Sequence, residues 1–376
     1  MDPLSDADCI SLTLMAAAMI EMGDGAQLRT WTTGSVIPER LPLVMMHGGP
    51  GVPDYLAPVA EMVDDLCLVH RYDQRGTGGS PWEGEHTIVR HVQDLVSLLD
   101  AWGHDRVVLM GHSFGTDMAS YFLLAHPERV AGLIQLSGPF LHPWREADLA
   151  ARRVRRSDEQ QARLDELDAI ASRTDDEEIE YLTLSWFTDH AEGARAWDWA
   201  LAAARMLRPV NYAMNTQLNA AKKTDPLEAR VDELRELLPP GAVIIGGAAD
   251  TRPVDALRRL GVRLNCEVII IPDAGHDPWL EAPGQFGAAL RAAVKRQSQT
   301  AADRSAIPSR TGAISGRPVR LPHRGDAGHG LVQVAQRAKR ADGVVWLIGG
   351  PPDARCIACG RAQMPVDTGR PGAWCC

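Results

Sequence analysis

"VVLMGHSFGTDMASYFLLAHP", Val107 to Pro127, is the stretch on which the reading of the whole chain turns. Val107 to Met110 is a short apolar run of the kind that forms a buried strand. Gly111-His112-Ser113-Phe114-Gly115 interrupts it, and Thr116 to His126 then has a helical composition that Pro127 closes. A Gly-x-Ser-x-Gly turn between a strand and a helix holds its serine on a strained backbone at the tip of the turn. The flanking positions have to be small, because side chains at 111 and 115 would collide with the neighbouring strand and helix. The helix N-terminus beside the serine also favours developing negative charge. Ser113 is the candidate nucleophile.

A serine hydroxyl is a weak nucleophile without a base, and the base needs an acid to orient it. In a strand–turn–helix setting of this type the chain order is Ser, acid, His. His276, in "IIIPDAGHDPW" just after an apolar run, is the candidate base. "AVIIGGAADTRP" places Asp250 after the preceding run, as the candidate acid. Asp255, Asp273 and Asp277 are rivals, though the last two sit on the histidine's own loop, from which Nδ1 is hard to reach. His47 and His112 are expected to be structural, the first fixing a glycine loop and the second flanking the nucleophile.

That glycine loop is His47-Gly48-Gly49-Pro50-Gly51, which follows the apolar run Leu41 to Met46. Glycine there contributes no packing, so something needs bare backbone. A phosphate cradle would continue with Gly-Lys-Ser/Thr and a dinucleotide site would read G-x-G-x-x-G, and neither is present. With a nucleophile at 113 the reaction makes an oxyanion, whose donors are the N–H after the nucleophile and one from an earlier loop. Gly48, Gly49 and Phe114 are the candidate oxyanion hole.

Working outward, Ile20 to Trp31 alternates around Gly23-Asp24-Gly25 as a hairpin would. Apolar runs at Leu41 to Met46, Leu66 to Tyr72, Val107 to Met110, Leu133 to Leu136, Ala242 to Ile245 and Glu267 to Ile271 suit strands buried on both faces of a parallel sheet. Thr87 to Trp102 carries Ile88, Val92, Leu95, Val96 and Leu99 on one helical stripe and stops at Gly103. Alternating strands and helices imply an α/β sheet. Residues 140–240 break the alternation with helical sequence rich in tryptophan (Trp144, Trp186, Trp197, Trp199), as a lid inserted before the acid-bearing strand would.

The expected organisation is an N-terminal extension over 1–18, a first core segment over 19–139, the helical lid over 140–240, a second core segment over 241–296, and an extension from 297 to 376. Both extensions are expected to be poorly ordered. The last one differs in chemistry: after residue 300 there are eleven Lys and Arg against five Asp and no Glu, whereas the whole chain carries −10. The net negative charge argues against nucleic acid as a partner. Ile10 to Ile20 follows an acidic start and is too short to span a bilayer, so no membrane association and a cytoplasmic location are expected. Cys9, Cys67 and Cys266 are scattered as reduced thiols would be. Cys356-x-x-Cys359 with Cys375-Cys376 carries half of a zinc pattern, but the second pair lacks the spacing, so neither a metal nor a cofactor is expected.

HGGPG, "YDQRGTGGS" (72–80), GHSFG and the GGAAD and AGH segments together resemble the proline iminopeptidase-like group of α/β-hydrolases, over roughly residues 20–295. The resemblance implies an α/β-hydrolase fold and a serine hydrolase that releases N-terminal residues, proline preferred, from small peptides. It also implies a structural role for Asp73 and Arg75 in bracing the active-site loops. Aminopeptidases of the group hold the substrate ammonium with lid carboxylates, one a Glu after a tryptophan-rich helix. Here Trp197-Asp198-Trp199-Ala200 has alanine at that place, and Val210-Asn211-Tyr212 has valine where Glu-Asn would stand. Trp197, Asp198 and Glu192 are the candidate substrate-binding residues in their stead. The alternatives are an esterase or amidase with the same triad and no amine requirement, and a non-catalytic homologue that binds a small ligand. An elbow serine, not aspartate, sets aside epoxide hydrolysis and dehalogenation. The oligomeric state leaves no mark on the sequence.

Overall fold

A computed structural model describes residues 16–305 apart from His142 and Glu192. In chain order the elements are β1 (Ala16–Glu21), β2 (Gln27–Thr33), β3 (Leu43–Met46), α1 (Ala57–Glu61), β4 (Val69–Tyr72), α2 (Ile88–Trp102), β5 (Val107–His112), α3 (Phe114–Ala125) and β6 (Val130–Leu136). Then follow α4 (Arg145–Arg155), α5 (Asp158–Asp168), α6 (Asp175–Trp186), α7 (Ala196–Met206), α8 (Tyr212–Thr224) and α9 (Val231–Leu237). The chain returns to the sheet with β7 (Val243–Gly247), α10 (Val254–Leu264), β8 (Glu267–Ile271), α11 (Pro278–Glu281) and α12 (Pro283–Ser305).

The strands make one sheet in the order β1-β2-β4-β3-β5-β6-β7-β8. The β1–β2 hairpin joins antiparallel, and β4, β3, β5, β6, β7 and β8 run parallel. Burial explains the apolar runs. In β3, Val44 and Met46 face a cluster that includes Leu95, Phe122, Leu234 and Leu257, drawn from α2, α3, α9 and α10. Leu43 and Met45 face the opposite cluster, with Val59 of α1 and Phe286 and Leu290 of α12. Successive side chains point to opposite faces of a strand, so a sheet covered by helices on both sides needs continuous apolar sequence. β5 sits at the middle of this sheet, so its C-terminal turn lies over the centre of the sheet's edge.

Helix α2 behaves as its sequence dictates: the Thr87 side chain accepts the Arg90 N–H, and Gly103 caps the far end in the left-handed region at φ 74°. Helices α4 to α9 fill the chain between β6 and β7. Two of them begin with reciprocal capping boxes, Ser157/Gln160 and Thr174/Glu177.

The expected outer boundaries need correction. β1 already begins at Ala16, within the span assigned to the N-terminal extension, because its backbone pairs with β2 from Ala16↔Thr32 onward. α12 runs to Ser305, past residue 296. Gln297 is fully buried and its Nε2 donates to the Leu133 carbonyl at 3.1 Å, so this residue belongs to the core. The remainder of the basic tail, with its four cysteines, lies outside the described residues. Among the described residues no helix is long and apolar enough to cross a membrane.

Candidate active site

The turn after β5 is built as its glycines require. Ser113 has φ 53° and ψ −120°, a conformation a non-glycine residue adopts only when its surroundings impose it. Its N–H donates to the Leu136 carbonyl on β6 at 2.9 Å, which anchors the turn to the neighbouring strand. A Cβ at Gly115 would overlap the Met46 carbonyl oxygen, and one at Gly111 would overlap the Gly115 carbonyl. Both positions admit backbone only.

Asp250 follows β7, and His276 follows β8. The two side chains meet: His276 Nδ1 lies 2.7 Å from Asp250 Oδ2, and both residues are buried. Burial by itself would raise the Asp250 carboxyl, but the His276 and Arg252 side chains beside it outweigh that and hold it below the ordinary carboxylate range. The other acids are elsewhere. Asp255 is exposed and pairs with Arg258 at 2.9 Å, and Asp273 is exposed. Asp277 lies 3.5 Å from His112 Nε2, and burial raises its carboxyl above the ordinary range. The His276 backbone is also fixed: its N–H donates to the Asp189 carbonyl at 2.7 Å, and its carbonyl accepts from Ser137 Oγ at 2.8 Å and His112 Nε2 at 3.2 Å.

His47 does fix the glycine loop. Its Nδ1–H donates to the Gly48 carbonyl at 2.8 Å, while Nε2 accepts the Gln74 N–H at 3.1 Å. The Asp-Gln-Arg-Gly segment reaches the site through Gln74, and through Asp73, whose Oδ1 accepts the Asp54 N–H at 2.8 Å. Arg75 does not. It ties Asp24 of the β1–β2 turn to Asp94 on α2.

Of the three expected oxyanion donors, Gly48 is otherwise engaged. Its N–H donates to Tyr55 Oη at 2.9 Å, and Tyr55 O–H donates to His112 Nδ1 at 2.7 Å. Gly48 is still required as glycine, because a Cβ there would lie 2.8 Å from Ser113 Cβ. The Phe114 N–H, at the first position of α3, and the Gly49 N–H have no acceptor among the described residues. Burial keeps the Tyr55 hydroxyl far above its usual value and the His112 imidazole far below its own. Both are therefore neutral, and a chain of hydrogen bonds runs from the glycine loop through the elbow to the His276 carbonyl.

Ser113, His276 and Gly49 share a cavity of about 540 Å3. Its lid side is Tyr181, Leu182, Trp186, Trp199, Met206 and Val210. The carboxylates that line it are Asp189 and Asp277. The expected substrate residues fare differently. Trp197 is 38% exposed and packs on Phe187, with ring centroids 5.5 Å apart; Asp198 is exposed; neither lines the cavity. One helical turn carries 3.6 residues, so Trp197, Asp198 and Trp199 of α7 cannot all face one way, and Trp199 is the one turned inward. Glu192 lies outside the described residues. Sequence reasoning did not find Tyr55, Asp189 or Arg252. Tyr55 shares the loop with Gly48 and could have been suspected, but the other two depend on packing between distant segments. Among the described residues no group of three or more His, Cys, Asp or Glu is placed to hold a metal ion.

Residues 42–283 match the family described as alpha/beta hydrolase fold, and the chain belongs to it. Within that class, proline iminopeptidases are among the proteins to which it is similar. It is 39% identical to a proline iminopeptidase of Saccharolobus solfataricus over 26% of this chain and 33% of that protein. It is 26% identical, over 68% of this chain and 91% of the other, to RutD of Caulobacter sp. (strain K31), named for a proposed carbamate hydrolase activity. The aligned stretches in the proline iminopeptidase relatives span about a third of their length. A thermophilic esterase from Thermogutta terrifontis superposes with a TM-score of 0.59 at 20% identity, covering 75% of this chain and 99% of that one. The Mycobacterium smegmatis proline iminopeptidase gives 0.52 at 19% identity, over 76% and 100%. The chain is a hydrolase of the α/β fold.

Proposed function

We propose that the protein is a serine hydrolase of small esters or amides, with Ser113 as nucleophile, His276 as base and Asp250 as orienting acid. The observation that carries this is the 2.7 Å contact between His276 Nδ1 and Asp250, in the cavity that also holds the strained serine. An ionised Asp250 keeps the proton on Nδ1, which leaves the Nε2 lone pair free. Ser113 Oγ attacks the substrate carbonyl as its proton passes to Nε2, and the oxyanion takes the Gly49 and Phe114 N–H groups. Nε2–H then protonates the departing alkoxide or amine. Water, deprotonated by the same nitrogen, releases the acid from the acyl-enzyme and restores Ser113 Oγ–H.

The lid lines the cavity with Leu182, Trp186, Trp199, Met206 and Val210, and its Asp189 carboxylate there is already held by Arg152 and Arg252, which favours substrates without a required ammonium. One observation favours the aminopeptidase alternative. Asp277 borders the cavity, its carboxylate takes no hydrogen bond among the described residues, and it is placed to pair with a substrate ammonium. Hydrolysis of a proline arylamide, its N-acetyl counterpart and a simple aryl ester, with Ser113→Ala as the blank, separates the readings. Cleavage of ester and N-acetyl amide supports the first. Turnover restricted to the free amine, and lost in Asp277→Asn, supports the second. Activity retained in Ser113→Ala refutes both.

A further inference from the structure

The catalytic acid stands at one end of an unbroken row of alternating charges that begins in the lid. Asp148 on α4 accepts from Arg152 Nε at 2.9 Å and from Thr251 Oγ1 at 2.6 Å. Arg152 also reaches Thr188 Oγ1 and the Asp189 carboxylate, in the short segment after α6. Asp189 Oδ1 in turn accepts from Arg252 Nη1 at 2.8 Å, and the same Nη1 lies 3.1 Å from Asp250 Oδ1. Asp250 ends the row on His276. Asp148, Asp189 and Asp250 are all buried, as are the heads of Arg152 and Arg252 for the most part. Beside this row Arg155 of α4 donates to the Thr188, His190 and Ala249 carbonyls at 2.7, 2.8 and 2.6 Å, which fastens the lid segment to the residue preceding Asp250.

Asp189 therefore holds the base and the acid at once. Its carbonyl takes the His276 N–H, and its carboxylate takes the arginine that touches Asp250. We propose that Asp189, carried by the lid, and Arg252 are paired positioning residues of the triad, setting both the geometry and the proton affinity of His276. The proposal rests on the hydrolase reading above. Arg252 keeps the outer oxygen of Asp250 occupied, so that Oδ2 faces Nδ1. Asp189 neutralises Arg252, which would otherwise draw charge from Asp250 and weaken its support for an imidazolium. Truncating one partner unbalances the charge of the buried row by one unit, whereas removing both together keeps its net charge. The charged groups facing His276 are Asp250 and Arg252 from the loop after β7, Asp189 from the lid, and Asp277 from its own loop; His112, at the end of β5, is neutral.

The signs are opposed. Asp189→Asn keeps the carbonyl bond to His276 and removes a negative charge, so the imidazolium becomes less favoured. Arg252→Gln removes a positive charge, and the imidazolium becomes more favoured. The test is the pH dependence of Ser113 phosphonylation by a fluorophosphonate, together with NMR titration of the His276 imidazole, which needs no turnover. In Asp189→Asn the acidic limb and the imidazole should move down by about one pH unit, as expected for a charge a few Å away at intermediate dielectric, and in Arg252→Gln up by a similar amount. The double variant should lie closer to the wild type than either single one, in both labelling rate and thermal stability. Shifts of the same sign, or none, in folded variants whose Ser113 still labels would overturn the proposal and leave the hydrolase reading intact. A wild type whose Ser113 does not label, with the opposed imidazole shifts present, would instead overturn the hydrolase reading alone.

Discussion

Tyr55→Phe removes one oxygen and nothing else, and the structure says how much that oxygen does. The ring stays, with its stacking on Trp279 at 6.3 Å and its edge contact with His112 at 5.6 Å. Lost are the acceptor of the Gly48 N–H and the donor to His112 Nδ1, at 2.9 and 2.7 Å. Each bond contributes about 1 kcal/mol net, and a buried group left without a partner costs roughly 1–3 kcal/mol, so a total of about 2–4 kcal/mol is expected. Urea unfolding of the variant should show the midpoint falling with little change in slope. Activity should fall about tenfold as well, because the loop that presents the Gly49 amide loses its tie to the elbow and oxyanion donors act through their exact placement. A stability loss under about 0.5 kcal/mol with full activity would refute the claim that this hydroxyl joins the glycine loop to His112.

Gly115→Ala drives a methyl group into the Met46 carbonyl and should destabilise by more than about 3 kcal/mol, read by the same unfolding curves; an unaffected midpoint would contradict the close packing of the elbow on β3. His70 and His91 are buried and held down to about 3, against 6.5 for the unconstrained side chain. The unfolded chain therefore binds their protons first, and stability should fall as pH drops from about 6.5 towards 3, by about 1.4 kcal/mol per unit for each histidine. His91→Gln should flatten that slope in a pH series of melting curves. Trp197→Ala and Asp198→Asn should leave kcat/KM within about twofold, since neither faces the cavity, whereas Trp199→Ala should raise KM. A loss of activity on changing Asp198 would return it to the substrate site.

Most of the fold was legible because each local rule agreed with the global arrangement. β5, α3 and their glycines form a unit whose constraints are nearly all within one short stretch, so "GHSFG" could be read correctly without neighbours. The apolar runs were equally legible, since a strand buried on both faces has little freedom in composition. The ends of the core were read short. Gln297 and the α12 turns that carry it look like the start of a polar tail until Leu133 is seen to accept the glutamine amide. The glycine loop stood out in the sequence as the candidate oxyanion hole, but which of its N–H groups is engaged did not, because that depends on where Tyr55 Oη points.

The candidate triad shows where the division falls. Chain order and loop position singled out His276 and ranked Asp250 above its rivals, because in a parallel sheet the ends of adjacent strands lie side by side and their loops must meet. That is a consequence of connectivity, and the sequence by itself determines it. Which tryptophan of α7 faces inward, which carboxylates border the cavity, and that a lid aspartate joins an arginine to stand behind the triad were decided by tertiary structure alone. Those facts depend on the angle at which α4, α6 and α7 settle on the sheet, and that angle comes from the packing of side chains far apart in the chain. No local pattern encodes it.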